Sequence, residues 1–385
     1  MGYQPGILTG HSRQADPRLA AREFHAAVAQ PEMGLVIFFC SSAYDLDALA
    51  DELEGLFDGV SVVGCTTAGE IGPAGYCEHS LSGASLPAGL FTAVTGRLDQ
   101  LQEFDLKQTH DFAQGLLQRL EAEAPNAEAS NSFAFLMIDG LSVREELVAH
   151  ALHSSLGPIA MVGGSAGDDL GFSRTHVYHD GRFHTDSAVL VLATTELPFR
   201  AFKTQHFRPG EERLVVTEAV PAERLVQEIN GLPAAEEYAR LVHVDGEDLA
   251  PDRFAASPVV VLIDGTDYVR SIQKANPDGS LTFYCAIDEG LVLRVAQGMD
   301  LVGNLEQSLA AVSAELGTPQ LVLACDCVLR ALEVRQQGLQ DRVGELLGRH
   351  HAVGFNTYGE QYTGVHINQT LTGIAFGSVP EPADG

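Results

Sequence analysis

Apolar residues fall in short runs along this chain, and each run ends in a glycine-bearing turn. "GLVIFFC" (34–40) and "VSVVGCTTAGE" (60–70) open the series, "FAFLMIDG" (133–140) and "IAMVGGSAGDD" (159–169) follow, and "LVLACDC" (321–327) and "HAVGFNTYGEQ" (351–361) repeat it. Strand end and first turn glycine are Cys40 and Gly64, Asp139 and Gly163, Cys325 and Gly354, a spacing of 24, 24 and 29 residues. Between them lie helical stripes: Leu46, Leu49, Leu53, Leu56 and Phe57 in the first copy; Val143, Leu147, Ala151 and Leu152 in the second; Leu339, Val343, Leu346 and Leu347 in the third. Ser142 and Glu145 have the spacing of a capping box. Continuous apolar runs joined by a helix-length crossover predict parallel strands buried on both faces. After each turn the period changes to two, and Asp180-Gly181 is the strongest hairpin signal.

These signals predict an α/β protein with mixed sheets, made of duplicated β-α-β-hairpin units in two domains, with helices on the outer faces. The expected division is a lead-in (1–29), a domain with two units (30–198), a connecting segment (199–214), a domain with the third unit (215–380) and a tail (381–385). Strands are expected at "LVVTEAV", "PVVVLIDG" and "SLTFYCAIDEGLVLRV", and helices near 222–241 and 300–315. The stretch 121–131 reads as a solvated loop.

The chain has 385 residues, a formal charge of −29 and only three lysines, Lys107, Lys203 and Lys274. Nucleic acid and anionic membrane both need a basic surface, so neither is expected as a partner. The polar start is not a signal peptide, and no run approaches the ~18 apolar residues of a membrane helix. Six cysteines in a chain of this size do not form a disulfide scaffold, which fits a reducing cytoplasm.

Gly-rich turns at strand ends expose backbone N–H groups where α/β proteins place ligands; they are also how chains leave strands. The third turn is the most polar, with Asn356, Tyr358, Glu360, Gln361 and Tyr362 followed by Asn368 and Thr370. With Cys65 and Thr66 of the first turn and Gly164 and Ser165 of the second, these form the candidate ligand wall. No phosphate-binding loop or nucleophile elbow is present. Cys65 as a nucleophile and Asp139 with Asp168 as an acid–base pair remain the enzymatic alternatives, and the expectation is a receptor that performs no reaction. His150 and His153 share a helix face, His350–His351 is adjacent, and Cys325 and Cys327 flank Asp326. No C-x-x-C pair supports structural zinc.

With these turns in view, "VVGCTTAGEI", "VGGSAGDDL", "INGLPAAEEYARLV", "CDCVLR" and "GFNTYGEQ…HINQTLTG" resemble the FIST sensory family over about residues 30–380. The resemblance implies a signal-input protein. Its stand-alone subgroup implies haem b, nitric oxide sensing and a partner histidine kinase, often in cyclic-di-GMP and biofilm circuits; a homodimer is a further arrangement. On that reading His243 and His206 are the axial-ligand candidates, and Arg294 and Arg270 the propionate partners. The other reading of the resemblance is a sensor of a small polar metabolite such as an amino acid, without haem.

Overall fold

The computed structural model describes residues 6–73, 75–244, 249–263 and 265–378; the tail 381–385 lies outside them. The three repeats each build one six-stranded mixed sheet. In the first, the parallel pair Met33–Ser41 and Val62–Thr67 is flanked by Leu81–Pro87 and Leu8–Ser12. In the second, Ser132–Ile138 and Ala160–Ser165 are flanked by Ser187–Thr195 and Phe91–Asp99. In the third, Leu321–Cys327 and Ala352–Thr357 are flanked by Leu371–Phe376 and Phe199–Thr204.

Alternation along the buried strands explains how one sequence serves two cores. Leu35, Ile37 and Phe39 point into a centre shared with Phe133, Phe135, Leu323 and Phe355 from the other sheets. Val36, Phe38 and Cys40 face outward onto the helices Pro17–Val28 and Leu46–Leu56. The second and third sheets follow the same rule, with their own outer helices. Ring contacts tie the centre together across repeats: Phe39 stacks on Phe355 at 4.6 Å, and Phe133 meets Phe376 at 5.1 Å.

Each sheet is completed by a hairpin from another repeat. Glu70–Gly72 with Gly75–Cys77 of the first repeat pairs with Ala352–Thr357 of the third. Val177–His179 with Arg182–His184 of the second pairs with Val62–Thr67 of the first. Glu360–Tyr362 with Val365–Ile367 of the third pairs with Ala160–Ser165 of the second. The exchange is cyclic and closes on itself. Asp180 and Gly181 both have positive φ, +50° and +74°, as a tight type I′ hairpin requires.

Residues 207–298 interrupt the third repeat between its edge strand, Phe199–Thr204, and its helix Leu301–Leu316. They form an eight-stranded antiparallel sheet with its own core of Leu214, Val226, Tyr238, Phe254, Leu281 and Leu293. Arg224, in the turn between the strands Phe207–Val220 and Leu225–Ile229, bonds Glu145 at 2.5 Å and Glu146 at 2.7 Å, on the second repeat.

That contact accounts for a local misreading. Glu145 does not close a capping box with Ser142; the helix runs Glu145–Leu156 without a side-chain cap, and Glu145 is buried against Arg224. Val143 lies outside the helix at φ +58°, and Leu147 is half exposed. Val148, Ala149, Ala151, Leu152 and Leu156 form the buried face. A tertiary charge pair outweighed a local signal.

Candidate functional site

The three turns meet. Backbone bonds link each to the next: Gly167 N donates to Thr66 O at 3.0 Å, Ala68 N to Asn356 O at 2.9 Å, and Ser165 N to Gly359 O at 2.8 Å. Asp169 N–Thr67 O, Asn356 N–Gly69 O and Tyr358 N–Ser165 O close the ring from the other side. The repeat-equivalent glycines serve strand packing rather than ligand approach. A Cβ on Gly64, Gly163 or Gly354 would stand 2.6, 2.2 or 1.8 Å from a carbonyl of the neighbouring parallel strand.

Corners one and three carry the same device. Glu70 accepts from Thr67 Oγ1 at 2.5 Å, Ser80 Oγ at 2.6 Å and Ser80 N at 3.1 Å. Glu360 accepts from Thr357 Oγ1, from Thr370 Oγ1 at 2.6 Å and from Thr370 N at 3.2 Å. Both carboxyls are fully buried. Burial pushes Glu70 up to about 7 and Glu360 up to about 8, against the hydrogen bonds that favour the charged forms.

Corner two lacks the device. Ala166 stands where the others have threonine, and Asp169 where they have glutamate. A longer loop follows, held by Tyr358: its hydroxyl bonds Asp168 and accepts from Phe172 N at 3.3 Å, and its ring stacks on Phe172 at 4.5 Å. Asp168 also accepts from Ser173 Oγ at 2.7 Å and Arg174 N at 2.9 Å. Burial raises its carboxyl, but these bonds outweigh it and hold Asp168 below the usual range.

A cleft opens where this symmetry breaks. One lobe, of 410 Å³, is lined by Arg13, Tyr76, Cys77, Gln340 and Asn356. The other, of 320 Å³, is lined by Ala68, Asp169, Leu170, Val328 and Leu332. Glu78, Ala331 and Arg335 line both, and the Glu78–Arg335 ion pair lies between them. Asn356 is 4% exposed and its Nδ2 has no protein partner. Arg13 donates to Cys77 Sγ at 3.1 Å and makes no ion pair among the described residues. Beneath the polar lobe, Tyr76 bonds Asp326, whose carboxylate sits 3.0 Å from the fully buried Arg330 guanidinium.

Of the sequence-derived ligand wall, only Asn356 lines the cleft. Thr66 accepts from His176 N, Gln361 donates to Ser165 Oγ at 2.9 Å, and Asn368 donates to Tyr358 O; these side chains staple the corners together. Gly164 packs against Thr357 and Phe355. Cys65 lies in the central core, and burial drives its thiol well above the ordinary range, which disfavours a nucleophilic thiolate. Asp139 is occupied by Thr175, Leu141 N and Asp186 N. Arg13, Glu78 and Arg335 each sit in an ordinary polar stretch that marks nothing, and Asp169, although in the second turn, carries no signal that separates it from Asp168. The i, i+4 spacing of Asp326 and Arg330 is the one local signal that points to the buried pair below them.

The residues suggested for haem do not fit it. His206 is buried with both ring nitrogens engaged, Nε2 at 2.9 Å from Glu333 and Nδ1 at 3.4 Å from Arg330. His243 is exposed on a turn after the helix Ala234–Leu241. Arg294 pairs with Asp267 at 2.8 Å, and Arg270 donates to His366 O at 2.7 Å. None of the four lines the cleft. Among the described residues, no group of three or more His, Cys, Asp or Glu could hold a metal ion, and no helix is long and apolar enough to cross a membrane.

A cyanuric acid hydrolase from A. caulinodans matches 97% of this chain and 100% of its own, at 12% identity and a TM-score of 0.39. A second cyanuric acid hydrolase structure matches with the same coverage and identity at 0.35. The expectation that this chain performs no reaction does not stand, because the solved structures matched are of enzymes; at such similarity neither an activity nor its absence passes to the chain. No curated protein matches the chain. The family models do match: FIST N domain over residues 34–232 and FIST C domain over 234–363. Together they span most of the chain, and it belongs to the FIST family, whose domains are associated with sensory signalling.

Proposed function

We propose that this protein is a sensory input module whose receptor site is the cleft at the broken corner, and that its signal is a small metabolite bearing an anionic group. One observation carries the reading: Asn356 offers a buried, unpartnered amide donor beside Arg13, a cation with no ion pair. An unsatisfied buried donor costs about 1–3 kcal/mol, and a ligand oxygen satisfies it. In a chain of charge −29, two arginines facing one small lobe are a local exception that suits an anion. Ligand contacts that reach all three repeats give a route for the signal, because the corners share one backbone ring. Haem-based nitric oxide sensing, the more specific form of the family reading, has no such support: its four residues stand apart.

Calorimetric titration with amino acids, mono- and dicarboxylates tests the site. At least one is expected to bind, with at least tenfold weaker binding to Asn356→Leu at an unchanged melting temperature. Equal binding by the variant, or no binding by any of them, would overturn the proposal. A Soret band in haem-loaded protein, lost in His206→Ala, would instead favour the haem reading.

A further inference from the structure

Resting on that reading, we infer that the cleft takes a monocarboxylate with an apolar tail, its headgroup on Arg13, Asn356 and Arg335 and its tail along Leu170, Val328 and Leu332. The two lobes differ in chemistry. The larger alone presents Arg13 and the free amide; the smaller alone has Ala68, Leu170, Val328 and Leu332, with Asp169 and His79, and Glu78 and Arg335 line both. Volumes of 410 and 320 Å³ are each in the range that small ligands occupy. A short polar metabolite would fill the first and leave the apolar walls of the second in water. An uncharged apolar one would leave the Asn356 amide unsatisfied.

The strap between the lobes fits this occupant. Glu78 and Arg335 are both about half exposed, at 53%, and an ion pair in that setting adds little stability. A ligand carboxylate can therefore replace Glu78 on Arg335, and the freed Glu78 turns to solvent. The tail then passes under the opened strap. Burial raises the Asp169 carboxyl above its ordinary range. The donors of the polar lobe supply orientation, and the apolar walls supply the gain with length.

The full-length protein would be titrated calorimetrically with acetate, butyrate, hexanoate and octanoate. Affinity is expected to rise roughly three- to fourfold per methylene while the tail is being buried. Leu170→Ser, at an exposed position, is expected to flatten that rise while leaving acetate unchanged. Glu78→Gln is expected to tighten hexanoate several-fold, because it removes the competitor for Arg335; a purely structural Glu78 would give no gain. A flat series, or weaker hexanoate binding by Glu78→Gln, overturns the inference. If amino acids or dicarboxylates bind while the tailed series stays flat, the tail assignment falls and the receptor cleft stands; if nothing binds, both fall.

Discussion

Corners one and three differ from corner two by a few atoms, and the cleft lies at that difference. In the first and third, a threonine and a glutamate three residues on, with a hydroxyl ten residues further, lock a carboxyl with a raised pKa inside the protein. In the second, alanine replaces the threonine and aspartate the glutamate, so the equivalent carboxyl has no staple and is left half-buried at the cleft. Two corners carry the same staple, and the odd one leaves room. The cleft proposed as the receptor site thus lies where one contact of three is lost.

The largest effect should come from separating what the exchanged hairpins join. Expressed alone, residues 1–232 lose the third repeat's hairpin from their second sheet, and 234–378 lose the first repeat's hairpin. Neither piece is expected to give the sharp thermal transition of the intact chain, whereas co-expression should restore soluble complex, as gel filtration would show. Next, Asp326→Ala strands the buried Arg330 charge and is expected to cost about 3–5 kcal/mol in denaturant unfolding.

The paired acids give a smaller effect with a defined sign. Their folded values, about 7 and about 8, lie above the ordinary 4.5, so the folded state holds protons that the unfolded chain releases. Their contribution to stability is full below pH 4.5 and is lost as pH rises through 7 to 8. Glu360→Gln keeps the bonds to Thr370, and the Thr357 hydroxyl can turn to accept from the new amide. This variant is expected to match the parent at pH 5 and exceed it at pH 8.5, by on the order of 3–4 kcal/mol. An unchanged difference across that range would remove the buried-acid account. Asp169→Asn at the open corner should be smallest, within about 0.5 kcal/mol at either pH.

Much of the fold was legible in the residues. The 24-residue spacing of strand and turn, the apolar runs and Asp180-Gly181 all report local or repeating geometry, and each took the form expected. The helix stripes read correctly at Leu49, Leu53, Val343 and Leu347, which face shared cores. The cyclic exchange was not legible, because nothing in a hairpin's own pattern says which sheet it will join. The repeats also begin earlier than the strand–turn signal, with Leu8–Ser12, Phe91–Asp99 and Phe199–Thr204 as edge strands. Polar density singled out the third turn, and its residues do converge with the other corners, but mostly as internal staples. The cleft is assembled from residues hundreds of positions apart, such as Arg13 with Arg335, and no local periodicity marks such a pair.

The most direct test of the central claim is amide hydrogen exchange, with and without a saturating concentration of the ligand that titrates most tightly. The account predicts added protection confined to the corner residues 66–69, 168–172 and 355–358 and to the helix Val328–Gln336. Protection centred instead on the inserted sheet, 207–298, with the corners unchanged, would contradict it.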